Sequence, residues 1–358
     1  MPTMQDARAA LKERFGYDDF RPNQRDLVEQ VLAGRDVLGV MPTGAGKSVV
    51  YQIPALLLPG LTLVVSPLIS LMKDQVAGLE QAGIPAACVN STQSVDEQAR
   101  AFSRALSGDV KLLYVAPERL STPRMAELAQ VARISLVAVD EAHCVSQWGQ
   151  DFRPDYRAIA GFVESLPVRP AVAALTATAT EEVRCDIVDA LELRDPFVLV
   201  GGFDRPNLYF GVERPEPRDK DRTLLRLVAA RAAKRDAAGQ AGQSGQTGIV
   251  YCSTRKAVEH VCELLWQEGF ASTRYHAGLS PEERHANQEE FLYDRANVMV
   301  ATNAFGMGID KSNVGFVIHY NMPSDLEGYY QEAGRAGRDG SAADCILIYN
   351  KKDVQTCQ

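Results

Sequence analysis

Short apolar segments alternate with helical segments along almost the whole chain. Continuous apolar runs between helices are typical of strands that are buried on both faces of a parallel sheet, so the pattern predicts a doubly wound α/β fold. The predicted strands form two series, Val37–Val40, Leu61–Ser66, Lys111–Val115, Leu136–Val139 and Ala171–Leu175, then Gly248–Cys252, Ser272–Tyr275, Val298–Ala301, Val314–His319 and Cys345–Tyr349. Predicted helices between them include Ser70–Gln81, Glu181–Leu191, Lys256–Glu268 and Glu282–Phe291.

Two series of strands indicate two α/β domains. Glycines and a proline interrupt the pattern at Gly201–Pro206, and we therefore expect one domain at residues 1–205 and a second at 206–358. The segment Ala229–Thr247 is rich in Ala, Gly and Gln, and it predicts a helix end followed by a flexible surface loop.

Composition narrows the class of protein. No run of 18 apolar residues and no apolar N-terminal leader is present, so we expect neither a membrane span nor secretion. The cysteines are odd in number and without a CxxC spacing, which favours a reducing, cytoplasmic setting over disulfides or a zinc knuckle. The net charge of −8, from 38 basic and 46 acidic residues, argues weakly against nucleic-acid binding unless the basic residues share one surface.

The segment Met41–Ser48, MPTGAGKS, follows a predicted strand and precedes a helical pattern. It differs from the strict phosphate-binding loop only in having Met41 at the first glycine position. Gly44 and Gly46 would let backbone N–H groups approach phosphates, with Thr43 in the same loop. Lys47 would reach the β- and γ-phosphates, and the Ser48 hydroxyl would bind Mg²⁺.

Asp140 and Glu141 end another apolar strand, and carboxylates at the end of a parallel strand face the crevice where ligands bind. Asp140 would hold Mg²⁺ through water, and Glu141 would orient or deprotonate the attacking water. Residues 144–157 then interleave Trp148, Phe152 and Tyr156 with polar groups. Stacking aromatics beside Arg and Gln are typical of a loop that binds a nucleic-acid strand; the polar members are Gln147, Gln150, Arg153 and Arg157.

Two further segments carry candidate nucleotide contacts. Arg335 and Arg338, in QEAGRAGRDG, would share one face of a helix and reach a γ-phosphate as arginine fingers do. In FGYDDFRPNQ, the Gln24 amide would read adenine, while Tyr17 or Arg21 would stack on the base.

Taken together, these motifs resemble those of the RecQ family of superfamily 2 DNA helicases, in order, over almost all of residues 10–350. FRPNQ resembles the adenine-reading motif of the family. MPTGAGKS resembles motif I, including its non-glycine first position, and DEAH resembles motif II. SPLISLMKDQ and APERL are similar to motifs Ia and Ib, and ALTATA to motif III. YCSTR, VATNAFGMGID and QEAGRAGRDG resemble motifs IV, V and VI, and CVSQWGQDFRP resembles the family's aromatic-rich loop.

The resemblance implies two RecA-like lobes with ATP between them, and 3′–5′ movement on single-stranded or partial-duplex DNA in repair and recombination. The first lobe would supply Lys47, Asp140 and Glu141, and the second Arg335 and Arg338 as catalytic groups, with Asp310 near the ribose. DNA would cross both lobes near the aromatic loop and motifs Ia, Ib, IV and V. Ser66, Arg255 and Thr302 lie in motifs Ia, IV and V.

Two departures from the family pattern stand out. Gln150 replaces a histidine that many members carry, and it cannot become cationic, so the coupling of ATP to DNA is expected to differ. Family members usually continue into a four-cysteine zinc module and a winged helix, so we expect this chain to be the catalytic core of a longer protein.

Two alternatives stay open on the sequence alone. Because DEAH also occurs in RNA helicases, an RNA-directed superfamily 2 enzyme is one. A nucleic-acid clamp that binds ATP without turning it over is the other.

Overall fold

The chain folds as two units, Met1–Phe203 and Asp204–Gln358. The computed structural model describes residues 2–147, 152–202, 204–234, 245–305, 311–351 and 353. Strands and helices alternate in both units, as the apolar pattern predicts. Within the described residues, we find no helix with the length and apolar character needed to cross a membrane.

The first unit is a seven-stranded parallel sheet in the order β3-β4-β2-β5-β6-β1-β7. Its strands are β1 (Val37–Val40), β2 (Leu61–Val65), β3 (Ala86–Val89), β4 (Leu112–Val115), β5 (Ile134–Val139), β6 (Ala171–Thr176) and β7 (Phe197–Val200). Its helices are α1 (Met4–Phe15), α2 (Pro22–Leu32), α3 (Val49–Leu57), α4 (Ile69–Gln81), α5 (Val95–Ser107), α6 (Pro123–Val131), α7 (Ala158–Glu164) and α8 (Glu181–Ala190).

Each face of this sheet has its own hydrophobic core, because successive side chains of a strand point to opposite faces. Val137 and Val139 of β5 pack with α5 to α8 on one face. Leu136 and Ala138 of the same strand pack with α2, α3 and α4 on the other. Burial on both faces explains why the strands are continuous apolar runs rather than alternating ones.

A buried carboxylate joins the beginnings of three chain segments in this unit. Asp36 precedes β1, is 3% exposed, and binds both terminal nitrogens of the Arg169 guanidinium at 3.1 and 2.8 Å. It also accepts hydrogen bonds from the backbone N–H groups of Val172 in β6 and Arg194 before β7. Four bonds to one carboxylate offset much of the cost of burying its charge.

The second unit is a six-stranded parallel sheet in the order β10-β11-β9-β12-β13-β8. Its strands are β8 (Leu208–Glu213), β9 (Thr247–Tyr251), β10 (Ser272–Tyr275), β11 (Val298–Ala301), β12 (Val314–His319) and β13 (Ala343–Ile348). Its helices are α9 (Lys220–Ala229), α10 (Arg255–Gln267), α11 (Pro281–Leu292) and α12 (Leu326–Ala333). Helices α9 and α10 cover one face of the sheet, and α11 and α12 the other.

These sheets confirm the predicted α/β class, with mostly parallel strands flanked by helices. The apolar pattern missed three strands, β3, β7 and β8, and all three lie at sheet edges. Strands β7 and β8 have one neighbour and partly exposed residues, so they lack the deeply buried run that marks a central strand. Strand β3 is mostly buried, but it has only four residues and two of them are alanines. The predicted helix end at the start of the low-complexity segment is confirmed, since α9 ends at Ala229; residues 235–244 lie outside the described part.

Candidate nucleotide site and strand-contacting elements

The loop between β1 and α3 has the backbone of a phosphate cradle. Gly44 and Gly46 adopt φ values of +82° and +75°, which residues other than glycine rarely adopt. Among the described residues, the backbone N–H groups of Gly46, Lys47 and Ser48 have no hydrogen-bond partner. Ser48 precedes α3 without capping it through its side chain. Unpaired N–H groups at a helix N-terminus form a ready site for an anion.

Lys47 and the N-terminal segment contact this loop from two sides. The Lys47 ammonium donates a hydrogen bond of 3.3 Å to the carbonyl oxygen of Met41. The Gln24 amide donates to the carbonyl oxygens of Ala45 and Gly46 at 2.9 and 3.1 Å. Gln24 is 6% exposed, so the amide that is predicted to read adenine binds the loop backbone in this structure.

The other two predicted base-contacting residues differ from each other in their surroundings. The Arg21 guanidinium donates a hydrogen bond of 2.6 Å to the carbonyl oxygen of Gly44, so it too is tied to the loop. The Tyr17 side chain is 60% exposed and is therefore accessible for stacking. Thr43 is half-buried in the same loop.

Asp140 and Glu141 follow β5 directly. Glu141 has φ 48° and ψ 49°, a left-handed conformation that costs a non-glycine residue about 1–3 kcal/mol. Its backbone N–H donates to the Asp140 carboxylate at 3.1 Å. Burial and the adjacent Glu141 carboxylate raise the pKa of Asp140 well above its ordinary value, and the Lys47 ammonium partly opposes them. Two acidic groups enclosed together form an environment that favours a cation.

His143 connects the carboxylate pair to the end of β6. Its Nδ1 lies 2.8 Å from the Thr176 hydroxyl, which itself donates to the carbonyl oxygen of Thr178 at 2.9 Å. Because a hydroxyl has one hydrogen, Thr176 must accept from His143, and the proton of a neutral His143 is therefore on Nδ1. The same nitrogen lies 3.4 Å from Glu141 Oε2, an oxygen that has no hydrogen-bond partner among the described residues.

Tyr156 and Arg153 tie the segment after DEAH back to two motifs. The Tyr156 hydroxyl donates to the carbonyl oxygen of Asp140 at 2.9 Å. The Arg153 backbone N–H donates to the carbonyl oxygen of Cys144, and its guanidinium donates to that of Pro67 at 2.8 Å. The prediction that Tyr156 stacks on bases is wrong for this structure, because its side chain is completely buried.

The other residues of this unit that are predicted to contact a nucleic-acid strand differ in how exposed their side chains are. Gln147 is exposed, and the Phe152 ring lies 5.4 Å from the Arg157 guanidinium in a cation–π arrangement. Ser66 is 1% exposed, and its hydroxyl oxygen is enclosed without a hydrogen-bond partner among the described residues. Three predicted site residues lie outside the described part of the chain: Trp148, Gln150 and Asp310.

In the second unit, Arg255 and Thr302 lie after adjacent strands. Arg255 is the exposed first residue of α10, and the Thr254 side chain caps this helix by accepting from the Ala257 N–H at 3.1 Å. Thr302 follows β11 and is 9% exposed, with its hydroxyl accepting from the Ala304 N–H at 3.4 Å.

The two arginines of motif VI are not on a helix, which corrects the sequence-based expectation. Helix α12 ends at Ala333, and Arg335 and Arg338 belong to the turns between it and β13. The glycines at 334, 337 and 340 explain this early end, since glycine is a weak helix former. Arg335 is 6% exposed, whereas Arg338 is half-buried.

A cluster of aromatic and charged groups surrounds Arg335. Its positive charge acts on the Tyr251 hydroxyl, which donates a hydrogen bond to the carbonyl oxygen of Phe305 at 2.8 Å. The Tyr251 ring stacks on His319, whose Nε2 lies 2.9 Å from the Glu332 carboxylate. Burial raises the pKa of Tyr251 above its ordinary value, so this hydroxyl stays protonated. The sequence reasoning did not single out Tyr251, although it ends a strand as Asp140 does.

Comparisons with known proteins agree with these motifs. Two family descriptions match the chain, DEAD/DEAH box helicase at residues 21–185 and Helicase conserved C-terminal domain at residues 222–340. The chain resembles the mycobacterial helicase Lhr, from Mycobacterium smegmatis, solved with single-stranded DNA and AMP-PNP. The TM-score is 0.75 at 20% identity, covering 98% of this chain and 48% of the other, which shows a shared fold.

Curated relatives are closer in sequence. The chain is 46% identical to "ATP-dependent DNA helicase RecQ" of Pasteurella multocida over 99% of its own length and 54% of the relative's. It is also 46% identical to the protein of that name from Bacillus subtilis, over 97% of its own length and 57% of the relative's. The chain thus spans slightly more than half the length of these relatives. On these matches and the order of its motifs, the chain belongs to the RecQ family of superfamily 2 helicases.

Proposed function

We propose that this chain is the ATP-hydrolysing core of a 3′–5′ DNA helicase or translocase that acts in DNA repair and recombination. The observation that carries the proposal is that the segment after DEAH is hydrogen-bonded both to DEAH and to motif Ia. Tyr156 binds the backbone of Asp140, and Arg153 binds the backbone of Pro67 in motif Ia. A change at the carboxylates would therefore move elements that are proposed to grip a strand. Such a DNA-directed enzyme would work in the cytoplasm, associated with the nucleoid if the cell is bacterial.

The residues of the first unit fit MgATP. The unpaired backbone N–H groups of Gly46, Lys47 and Ser48 would bind phosphate oxygens, and the Lys47 ammonium would leave Met41 for them. The Ser48 hydroxyl and the enclosed Asp140 carboxylate are oxygen donors of the kind that Mg²⁺ prefers. Bound Mg²⁺ would neutralise charge on the phosphates. The orphaned Glu141 Oε2 is an acceptor available to a water molecule, and it would orient or deprotonate that water.

In this proposal, Gln24 must exchange its hydrogen-bond partners in order to bind adenine. The Gln24 N–H groups would release the carbonyl oxygens of Ala45 and Gly46 and bind the base instead. Adenine binding would then be linked to the conformation of the phosphate loop. Arg335 and Arg338 would act on the same nucleotide as Lys47, and Asp310 would approach the ribose.

Single-stranded and partial-duplex DNA are the proposed partners. Exposed Gln147 and Arg255 and the paired Phe152 ring are the described candidates for direct contact. Ser66 and Thr302 would contact a strand only after their surroundings open, because both are buried. Arg153 would act in part indirectly, by holding the backbone at Pro67.

The test compares ATP turnover without nucleic acid, with single-stranded DNA, and with RNA of matched sequence. DNA should stimulate turnover more than RNA, and Lys47→Ala and Glu141→Gln should each abolish most of it. The exposed Arg194, far from these motifs in sequence, provides the control variant Arg194→Met, which should behave as wild type. Stronger stimulation by RNA would favour the RNA-directed alternative. Absence of single-turnover ATP hydrolysis would favour the clamp.

A further inference from the structure

The segment that begins the second unit holds the turn that carries the motif VI arginines. The Arg205 guanidinium donates to the carbonyl oxygens of Ala336 and Gly337 at 3.0 and 2.9 Å, and to that of Gly334 at 3.4 Å. Two residues later, the Asn207 amide donates to the carbonyl oxygens of Gly337 and Ser341 at 2.9 and 2.8 Å. We call these five bonds the 205/207 clamp.

The clamp supplies hydrogen-bond donors to carbonyl groups of the turn that follows α12, which are outside any regular helix or strand. Arginine suits this task, since its planar fork presents several donors at once and stays charged at any physiological pH. The Arg205 Nε also lies 3.3 Å from the Asn207 side-chain oxygen, which keeps the two side chains in one arrangement. Asn207 is held in turn by its backbone, whose carbonyl oxygen accepts from the Ala343 N–H at the start of β13.

Gly337 shows how closely the clamp approaches the turn. Its φ of +56° is left-handed, and a Cβ atom there would lie 2.5 Å from the Asn207 amide nitrogen and 2.6 Å from the Ser341 carbonyl oxygen. Glycine is thus required at 337 both by backbone conformation and by the clamp itself. Arg335 stands immediately before the clamped carbonyls of 336 and 337, and Arg338 stands immediately after them.

We propose that Arg205 and Asn207 are positioning residues that aim the motif VI arginines at the nucleotide. This rests on the proposed role of Arg335 and Arg338 in ATP hydrolysis. Arg205 is the second residue of the second unit, so the segment that connects the units is bonded directly to the arginine turn. Movement of that segment would change the direction of the arginines, which makes the clamp a route by which domain movement controls turnover.

The central experiment measures kcat and KM for ATP at saturating single-stranded DNA in Arg205→Met. Because a misplacement of about 1 Å costs about 100-fold in rate, we expect kcat to fall about 10- to 100-fold. The KM for ATP should change less than about threefold, since ground-state binding by the first unit is intact. Arg205→Lys should recover only part of the loss, because an ammonium group cannot reproduce the fork.

The matched control is Arg231→Met. Arg231 also makes a short double contact in this unit, to Asp344 of β13 at 2.8 and 2.7 Å, but it does not bond to the arginine turn. Its replacement should lower stability without lowering kcat. If Arg205→Met and Arg231→Met lower kcat equally, Arg205 is merely structural and the proposal fails. Asn207→Ser, which removes two bonds and keeps the guanidinium, should give an intermediate kcat if Arg205→Met does not fold.

The double variant with Arg338→Ala separates this proposal from the proposed function. If the clamp acts through the turn, adding Arg205→Met to Arg338→Ala should reduce kcat no further. If the double variant instead loses kcat by the product of the two single losses, Arg205 acts elsewhere and the proposal is overturned. If Arg338→Ala and Arg335→Ala both kept full turnover, the proposed role of motif VI would fail together with the clamp. If they lost turnover while Arg205→Met kept it, the clamp alone would fail.

Discussion

The Tyr156 hydroxyl donates a hydrogen bond of 2.9 Å to the backbone carbonyl oxygen of Asp140. This bond spans the aromatic-rich segment, so its two ends are tied at the carboxylate pair. Tyr156 is completely buried, and burial raises the pKa of its hydroxyl well above the ordinary value, so the group is a protonated donor at neutral pH.

Removal of this hydroxyl should reduce the stimulation of ATP turnover by DNA more than it reduces basal ATP turnover. Tyr156→Phe keeps the ring and loses one hydrogen bond, a loss of about 1 kcal/mol in stability. We expect the stimulation of ATP turnover by single-stranded DNA to fall severalfold while basal turnover changes little. Tyr209→Phe, at an exposed tyrosine of β8, is the control. Equal loss of basal and stimulated turnover would show that the bond serves the carboxylates alone.

Thr176 should be needed for its hydroxyl and not for its size. Thr176→Val leaves the His143 Nδ1–H and the Thr178 carbonyl oxygen without this partner, at about 1–3 kcal/mol for each unsatisfied group. We expect turnover at saturating ATP to fall about tenfold or more, while Thr176→Ser retains most of it. A Thr176→Val enzyme with wild-type kcat would contradict a role in turnover for the contact of Thr176 with His143.

Gly46→Ala should abolish tight nucleotide binding. The residue has a φ of +75°, and a Cβ atom there would collide with the Gln24 amide nitrogen. Gly34 is the matched control, because its φ is +80° and nothing lies within 4 Å of the position that a Cβ atom would occupy. Both alanine variants carry backbone strain of about 1–2 kcal/mol. Only Gly46→Ala should raise the dissociation constant of a fluorescent ATP analogue, by about tenfold or more; a similar rise in Gly34→Ala would mean that strain alone is responsible.

The buried pair of Asp36 and Arg169 should be a major stabiliser of the first unit. Arg169→Met leaves the enclosed Asp36 carboxylate without its cation, which costs about 3–5 kcal/mol. Arg194→Met breaks the exposed pair with Glu164 and should cost less than about 1 kcal/mol. Urea unfolding followed by far-ultraviolet circular dichroism measures both. Equal midpoints for the two variants would contradict the importance of the buried pair.

Most of the fold could be predicted from the sequence because the central strands are buried on both faces. Such strands must be apolar along their whole length, and this signal is local. The edge strands β3, β7 and β8 each pair with one neighbour, and β7 and β8 are also partly exposed, so their pairing became visible only with the sheet order. The end of α12 before Arg335 was missed because the i, i+3 spacing of two arginines suits a helix, whereas the intervening glycines weaken one.

By itself, the sequence determined which chemical groups are present and near which strand ends they lie: Lys47 and Ser48 after β1, and Asp140 and Glu141 after β5. These assignments follow from short spacings along the chain. Only the tertiary structure decided the partners of Tyr156, Arg153 and Arg205. Arg153 bonds to a carbonyl group 86 residues away, and Arg205 to carbonyl groups 131 and 132 residues away. Such pairs depend on the order in which crossovers place the strands, and no local pattern of polar and apolar residues encodes that order.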